Sequence, residues 1–222
     1  MKGSNNMIIS IIGGTGNIGK GLAAKILKAG YSVVIGSRNK EKAIDVVNDI
    51  KKNYERGCLL EGESNVEATK KGDLIIFSVP NKGRKHILYE IKDFLVGKII
   101  FDLTIPLSFN PIRHVAPKEG SNAMETKATC GEYVDVVAGM HTVSANLLNE
   151  QIDSSYDFDI LIAGDNVLAK QKIIEVFNNL GIRAFDSGNL EQAEVLEKLA
   201  VILIGMNKRY KKRHIGIKLF GV

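Results

Sequence analysis

The chain has 222 residues, of which 45% are hydrophobic and 25% charged, with four prolines, two cysteines and no tryptophan. These proportions sit near the averages of globular domains and exclude a fibrous repeat, a low-complexity chain and a disulfide scaffold. The net charge of +5 is mild, and the longest wholly apolar run, Leu199 to Ile204, is far short of the roughly 20 residues a membrane helix needs. Residues 1–6 precede no apolar stretch of signal-peptide length, and Cys58 and Cys130 form no C-x-x-C pair, so the expectation is a cytoplasmic chain with ordinary packed cysteines.

Short β-branched runs alternate with amphipathic segments along the chain, the pattern of parallel strands covered by helices. In chain order the predicted strands are Met7–Ile12, Ser32–Gly36, a weaker one near Cys58–Leu60, Asp73–Val79, Lys98–Phe101, Val134–Gly139, Phe158–Ala163 and Arg183–Asp186. Helices fill most gaps. Asn17–Lys28 places Ile18, Leu22, Ile26 and Leu27 on one side, Asn166–Leu180 ends at Gly181, and Glu191 to about Lys212 aligns Leu196, Leu199, Leu203, Met206 and Tyr210. Residues 102–120, with Pro106, Pro111 and Pro117, read as the longest irregular stretch, and loops of that length are often functional. The expected fold is α/β: a doubly wound, Rossmann-type, mostly parallel sheet over residues 1–188, followed by a C-terminal helical segment over residues 189–222.

Between the first strand and the first helix, Gly14, Gly16 and Gly19 form G-x-G-x-x-G. Gly14 is read as the tight turn, Gly16 as the place where a pyrophosphate approaches the main chain, and Gly19 as the close contact of helix with strand. The helix N-terminus then faces the phosphates with free N–H groups and a favourable dipole. At the end of the second strand, where NAD enzymes usually carry an acid for the ribose 2′-hydroxyl, stand Ser37 and Arg38, with Lys42 one turn into the next helix. A guanidinium grips a 2′-phosphate in bidentate fashion, so NADP is favoured over NAD.

At these residues the sequence resembles the NADP oxidoreductases that use the deazaflavin coenzyme F420. The likeness runs almost end to end, through "IIGGTGNIGKGLA", "VIGSRNKEKA", "VPNK", "GMHTVSANLLN", "DFDILIAGDN" and the terminal "GIKLF". It implies a cofactor site of Gly14, Thr15, Gly16, Asn17, Ile18, Gly19, Ser37, Arg38, Lys42, Val79 and Pro80, the last two bordering the nicotinamide. It implies an acceptor site at His141, Val143 and Ala145, closed by the C-terminal residues. Three places depart from the family pattern: Ser144 stands where proline commonly follows the His-Thr turn, and both Asn81-Lys82-Gly83-Arg84 and the last helix are unusually basic. A positive rim would suit the phosphate and glutamate tail of F420, or another acceptor.

The leading reaction is direct hydride transfer between NADP(H) and F420, with positioning by the protein and no catalytic side chain. His141 follows a strand where ligands collect, as a positioning residue or a substrate contact. The four histidines are scattered, and no metal site is expected. The alternatives are an NADPH-dependent reductase of a ferric chelate, imine or ketone, and a non-catalytic NADP sensor. A homodimer is expected from the family likeness and from the broad apolar stripe of the last helix, where Val195 and Ile202 adjoin Leu196, Leu199, Leu203 and Met206; neither nucleic acid nor a membrane is an expected partner.

Overall fold

The computed structural model describes residues 5–54, 57–144, 147–148 and 157–222. Its strands are β1 (Asn5–Ile12), β2 (Tyr31–Ser37), β3 (Leu60–Ser64), β4 (Leu74–Phe77), β5 (Ile99–Asp102), β6 (Leu107–Phe109), β7 (Ile112–His114), β8 (Asp135–Gly139), β9 (Asp159–Gly164) and β10 (Arg183–Asp186). The helices are α1 (Asn17–Lys28), α2 (Lys40–Lys51), α3 (Asn65–Lys71), α4 (Asn81–Ile91), α5 (Asn122–Cys130), α6 (Val167–Asn179) and α7 (Ala193–Arg209). Eight strands form one sheet in the order β10-β9-β8-β5-β4-β1-β2-β3, parallel throughout except where β9 runs antiparallel to β8. This is the Rossmann arrangement read from the sequence, extended by two strands of reversed sense.

The central strands are apolar on both faces because helices cover both. Ile9, Ile11, Val33, Ile35, Leu74 and Ile76 point to the side of α1, α2 and α6, where Leu22, Ile26, Val46, Ile173 and Phe177 close one core. Their neighbours Ile12, Val34, Ile75, Phe77 and Ile100 point to α3, α4 and α5, meeting Ala68, Ile87, Leu88, Ile91 and Ala123. The stretch 102–120 is not wholly irregular, since Leu107–Phe109 and Ile112–His114 pair as a small antiparallel hairpin. The last helix is shorter than its periodicity predicts: a 3-10 turn, Leu190–Gln192, precedes it, and helical geometry stops at Arg209 before Lys211 turns left-handed at φ 52°. Among the described residues, no helix is long and apolar enough to cross a membrane.

Candidate functional site

The parallel strands align their C-terminal ends, because Ile12 pairs with Phe77, Phe77 with Asp102, and Asp102 with Ala138. In open α/β sheets this edge is where ligands bind. The glycine loop that leaves β1 is assembled by close packing. Gly13, at φ +76°, makes the turn, a role the sequence reading gave to Gly14; a Cβ on Gly13 would lie 2.5 Å from the Ser78 carbonyl oxygen. Gly14 instead donates its N–H to the Gly36 carbonyl at 3.0 Å and lies against β1 and β2. Gly19 packs as expected, since a Cβ there would stand 2.5 Å from the Gly14 Cα and draw α1 off the sheet. Gly16 is exposed, and the nearest atom to a Cβ on it would be 3.6 Å away, so its outer side is open for a ligand to approach. It caps α1 without a side-chain hydrogen bond, and the first turn carries no acid. These features fit a bound pyrophosphate.

At the end of β2, Ser37 is buried and accepts the Asn39 N–H at 3.2 Å, while Asn39 caps α2 by accepting from Lys42 N at 3.0 Å. Arg38 and Lys42 are exposed. Arg38 has no ion pair among the described residues, and its Nη1 lies 3.9 Å from where a Cβ on Gly83 would stand, so it reaches over the first turn of α4. Lys40, by contrast, is held by Glu63 at 2.7 Å. Val79 is buried against the glycine loop, with Pro80 exposed beside it. The edge thus brings together Thr15–Gly19, Ser37, Arg38 and Val79–Pro80.

His141 lies on the same edge, after β8 and after Met140, whose φ of 62° is left-handed and unusual for a side-chain-bearing residue. Its ring is buried against the main chain of Asp102 and Thr104, and burial pushes its pKa down to about 4, leaving it neutral near pH 7. Among the described residues, the side chains of Asn65 and Thr142, which follow the ends of β3 and β8, carry buried polar atoms without a hydrogen-bond partner. Orphaned polar groups are rare in native interiors, and all of these border one edge. Val143 is half-buried against the α1-side core; Ala145 lies outside the described residues. The C-terminal segment reaches this end too. Ile217 accepts the Asp159 N–H at 2.9 Å, and a Cβ on Gly216 would stand 3.4 Å from the Thr142 carbonyl oxygen. Exposed Lys208, Arg209, Lys211, Lys212 and Arg213 fill the stretch between Asn207 and Ile215, which are joined by a 3.1 Å hydrogen bond.

One expectation fails here. Arg84 does not add to a basic rim: it is 1% exposed and turned inward, among Asp102, Thr104, Asn122, Glu125 and Thr126. Beyond it, Glu197 of α7 is fully buried, accepts the Asn122 N–H at 2.8 Å and meets His114 Nε2 at 2.9 Å. This polar interior leaves little trace in the sequence because its members come from five separate segments. The one local signal was an acid, Asp102, closing a β-branched strand. Cys130 ends α5, and burial pushes its thiol up to about 11, so it is no nucleophile. Among the described residues no group of His, Cys, Asp or Glu could hold a metal.

Residues 8–106 match the family described as "NADP oxidoreductase coenzyme F420-dependent". The F420-dependent NADP reductase of Methanocaldococcus jannaschii is 35% identical over 96% of this chain and 98% of its own length. That of Methanothermobacter marburgensis is 33% identical, again over 96% and 98%. A solved chain from Arthrobacter sp. FB24, provisionally named an F420-dependent NADP reductase, superposes with a TM-score of 0.82 over 97% of this chain and all of its own, at 19% identity. With a third or more of its residues shared across nearly the full length of these relatives, the chain belongs to the family of F420-dependent NADP reductases.

Proposed function

We propose that this chain is an NADP-dependent oxidoreductase that transfers a hydride between NADP(H) and coenzyme F420, with NADP on the β1–β2 side of the strand edge and the deazaflavin on the β8 side. The carrying observation is the continuity of that edge. It runs from Arg38, which has no ion pair among the described residues, past the open and acid-free N-terminus of α1, to buried Thr142 and to His141 beside the main chain of Asp102 and Thr104. Gly14, Thr15, Gly16, Asn17, Ile18 and Gly19 would hold the pyrophosphate through main-chain N–H groups, Ser37, Arg38 and Lys42 the 2′-phosphate, and Val79 and Pro80 the nicotinamide. His141, Val143 and Ala145 would form the acceptor side. The hydride passes between nicotinamide C4 and deazaflavin C5, chemistry that belongs to the coenzymes. The protein's own part is to bind, orient and exclude water, and a neutral His141 suits a positioning role better than proton donation. Of the basic rim expected from residues 81–84 and the last helix, the five exposed cations after Asn207 remain to meet an anionic acceptor tail.

The test is to mix the protein with NADPH and oxidised F420 and follow the loss of the deazaflavin absorbance. No change at saturating concentrations overturns the reading, and turnover with a ferric chelate, imine or ketone instead would redirect it. The fuller form of the proposal is a cytoplasmic homodimer in which the segment after residue 188 completes the acceptor pocket. Val195 and Ile202 support the dimer, because each is 58% exposed on the outer face of α7. Sedimentation as a monomer at micromolar concentration would remove it.

A further inference from the structure

Arg84 has the longest side chain among the fully buried residues, and it lies beneath the strand edge rather than on it. It projects from the first turn of α4, immediately after Val79–Pro80, and its guanidinium carbon is 6.0 Å from the ring centre of Phe77 at the end of β4. Nε donates to Thr104 Oγ1 at 2.9 Å, and Nη2 faces the Asp102 carboxylate at 3.3 Å. Further donations go to the Glu125 carboxylate, the Asn122 carbonyl and the Thr126 hydroxyl. The ties continue outward from these partners. Thr104 donates both its N–H and its hydroxyl to Asp102 Oδ1, at 2.9 and 2.6 Å. Asn122 Nδ2 donates to Thr104 Oγ1 at 3.0 Å and to Asn81 Oδ1 at 3.2 Å.

This arrangement crosses the site at one depth. On one side, Asn81 and Arg84 belong to the helix that begins at Val79–Pro80. On the other, the main chain of Asp102 and Thr104 is the surface against which the His141 ring lies. Asp102 and Thr104 are therefore the shared wall between the proposed nicotinamide border and the proposed acceptor side, and Arg84 fixes that wall with a planar, multiply bonded group. We propose that Arg84, acting through Thr104 and Asp102, is a positioning residue that sets the spacing between the two sides of the hydride-transfer site. A hydrophobic group would pack the same volume more simply, because burying an ion cluster gains little net stability. What a forked cation adds is a defined separation of the segments it joins, and hydride transfer is sensitive to ångström-scale placement.

The proposal rests on the functional reading above, and two variants test it separately. Arg84→Lys keeps the positive charge facing Asp102 and Glu125 but loses the fork; Thr104→Val removes the shared hydroxyl while leaving both ion pairs of Arg84 in place. The readouts are the thermal midpoint, NADPH affinity, the fluorescence lifetime of bound NADPH, and the single-turnover hydride-transfer rate to oxidised F420 at saturating NADPH. Both variants are expected to transfer hydride roughly ten- to a hundredfold more slowly. NADPH affinity should stay within about threefold, because the phosphates carry most of the binding. The lifetime should shorten as the nicotinamide surroundings loosen. Variants that fold, transfer at the unchanged rate and keep the unchanged lifetime reduce Arg84 to a purely structural part, and so does a rate loss that merely follows a loss of affinity. If the unmodified protein binds NADPH without reducing F420, the functional reading fails, and the lifetime of bound NADPH still decides whether Arg84 orders the nicotinamide side.

Discussion

The two halves of the strand edge are built by opposite means. On the β1–β2 side the site is mostly main chain: a glycine turn and a helix N-terminus without an acid, joined by Ser37, Arg38 and Lys42 at and after the end of β2, all within residues 13–42. On the β5–β8 side it is a buried set of charged and polar side chains, Arg84, Asp102, Thr104, Asn122, Glu125, Thr126, His141 and Glu197, drawn from segments more than a hundred residues apart. A site of backbone geometry tolerates little change because Gly13, Gly14 and Gly19 have no spare volume. A site of side-chain ties degrades gradually, because each tie can be cut with the fold kept. Substitutions should therefore be severe on the first side and graded on the second.

The largest effect should come from Gly19→Val. With a Cβ 2.5 Å from the Gly14 Cα, α1 must move off the loop, and NADPH affinity should fall by more than about a hundredfold or the chain should lose its cooperative melt. Gly16→Ala is the control: its Cβ meets nothing closer than 3.6 Å, so the melting temperature should be retained while NADPH binds more weakly, as read by titration calorimetry. If Gly16→Ala unfolds the protein, the open cradle is misread.

Arg38→Ala should rank second. It removes a charge-assisted contact worth roughly 1.5–3 kcal/mol, so NADPH affinity should fall about ten- to a hundredfold while NADH affinity hardly changes. Equal losses for both cofactors would show that Arg38 supports the first turn of α4 near Gly83 and does not read a 2′-phosphate.

The same division explains what was legible in the sequence. The β1–α1–β2 unit could be read because its signals are local: β-branched runs, glycines at fixed offsets and an amphipathic helix whose bounds, Asn17–Lys28, match those observed. Even there the turn was placed one residue late, since Gly13 and Gly14 look alike until the packing of Ser78 against Gly13 separates them. On the other side, Arg84 looked like a surface cation because its neighbours Lys82 and Lys85 are exposed, and nothing within α4 shows that Asp102 and Glu125 await it inside. The reversal of β9 was hidden for a similar reason, because a short apolar run carries no mark of strand direction.

His141→Gln tests the graded side. Because burial takes its pKa to about 4, the imidazole is neutral through the working range and has no proton to give near pH 6.5. Turnover should fall at most about tenfold, against the 10²–10⁴-fold typical of a general acid, with the change mainly in KM for the acceptor. A bell-shaped pH profile with a limb near 6.5, lost in the variant, would make His141 a proton donor and turn the reading toward a small-molecule reductase.

The smallest effect concerns stability, at the far end of the buried set. Burial pushes Glu197 up from an ordinary 4.5 to about 8 and holds His114 below its usual value. At neutral pH the pair is therefore uncharged, with the proton between Glu197 Oε2 and His114 Nε2, 2.9 Å apart. Between pH 4.5 and about 8 the folded chain keeps a proton on Glu197 that the unfolded chain has lost, so this group's contribution is full below 4.5 and declines as pH rises through the folded value. Within that window the loss is at most about 1.4 kcal/mol per pH unit, and each kcal/mol moves the midpoint of a chain this size by about 2–4 °C. Glu197→Gln is isosteric with the protonated acid: its carbonyl can still accept from Asn122 N, and its amide can still donate to His114. Its melting temperature should match the unmodified protein near pH 4.5, exceed it already at pH 6, and exceed it most above pH 8. His141 shapes the opposite limb, because its lowered value makes stability fall as pH drops from 6.5 toward 4 in both proteins. If Glu197→Gln is instead destabilised equally at every pH, the pair is an ion pair, and α7 is held to β7 by charge and not by a shared proton.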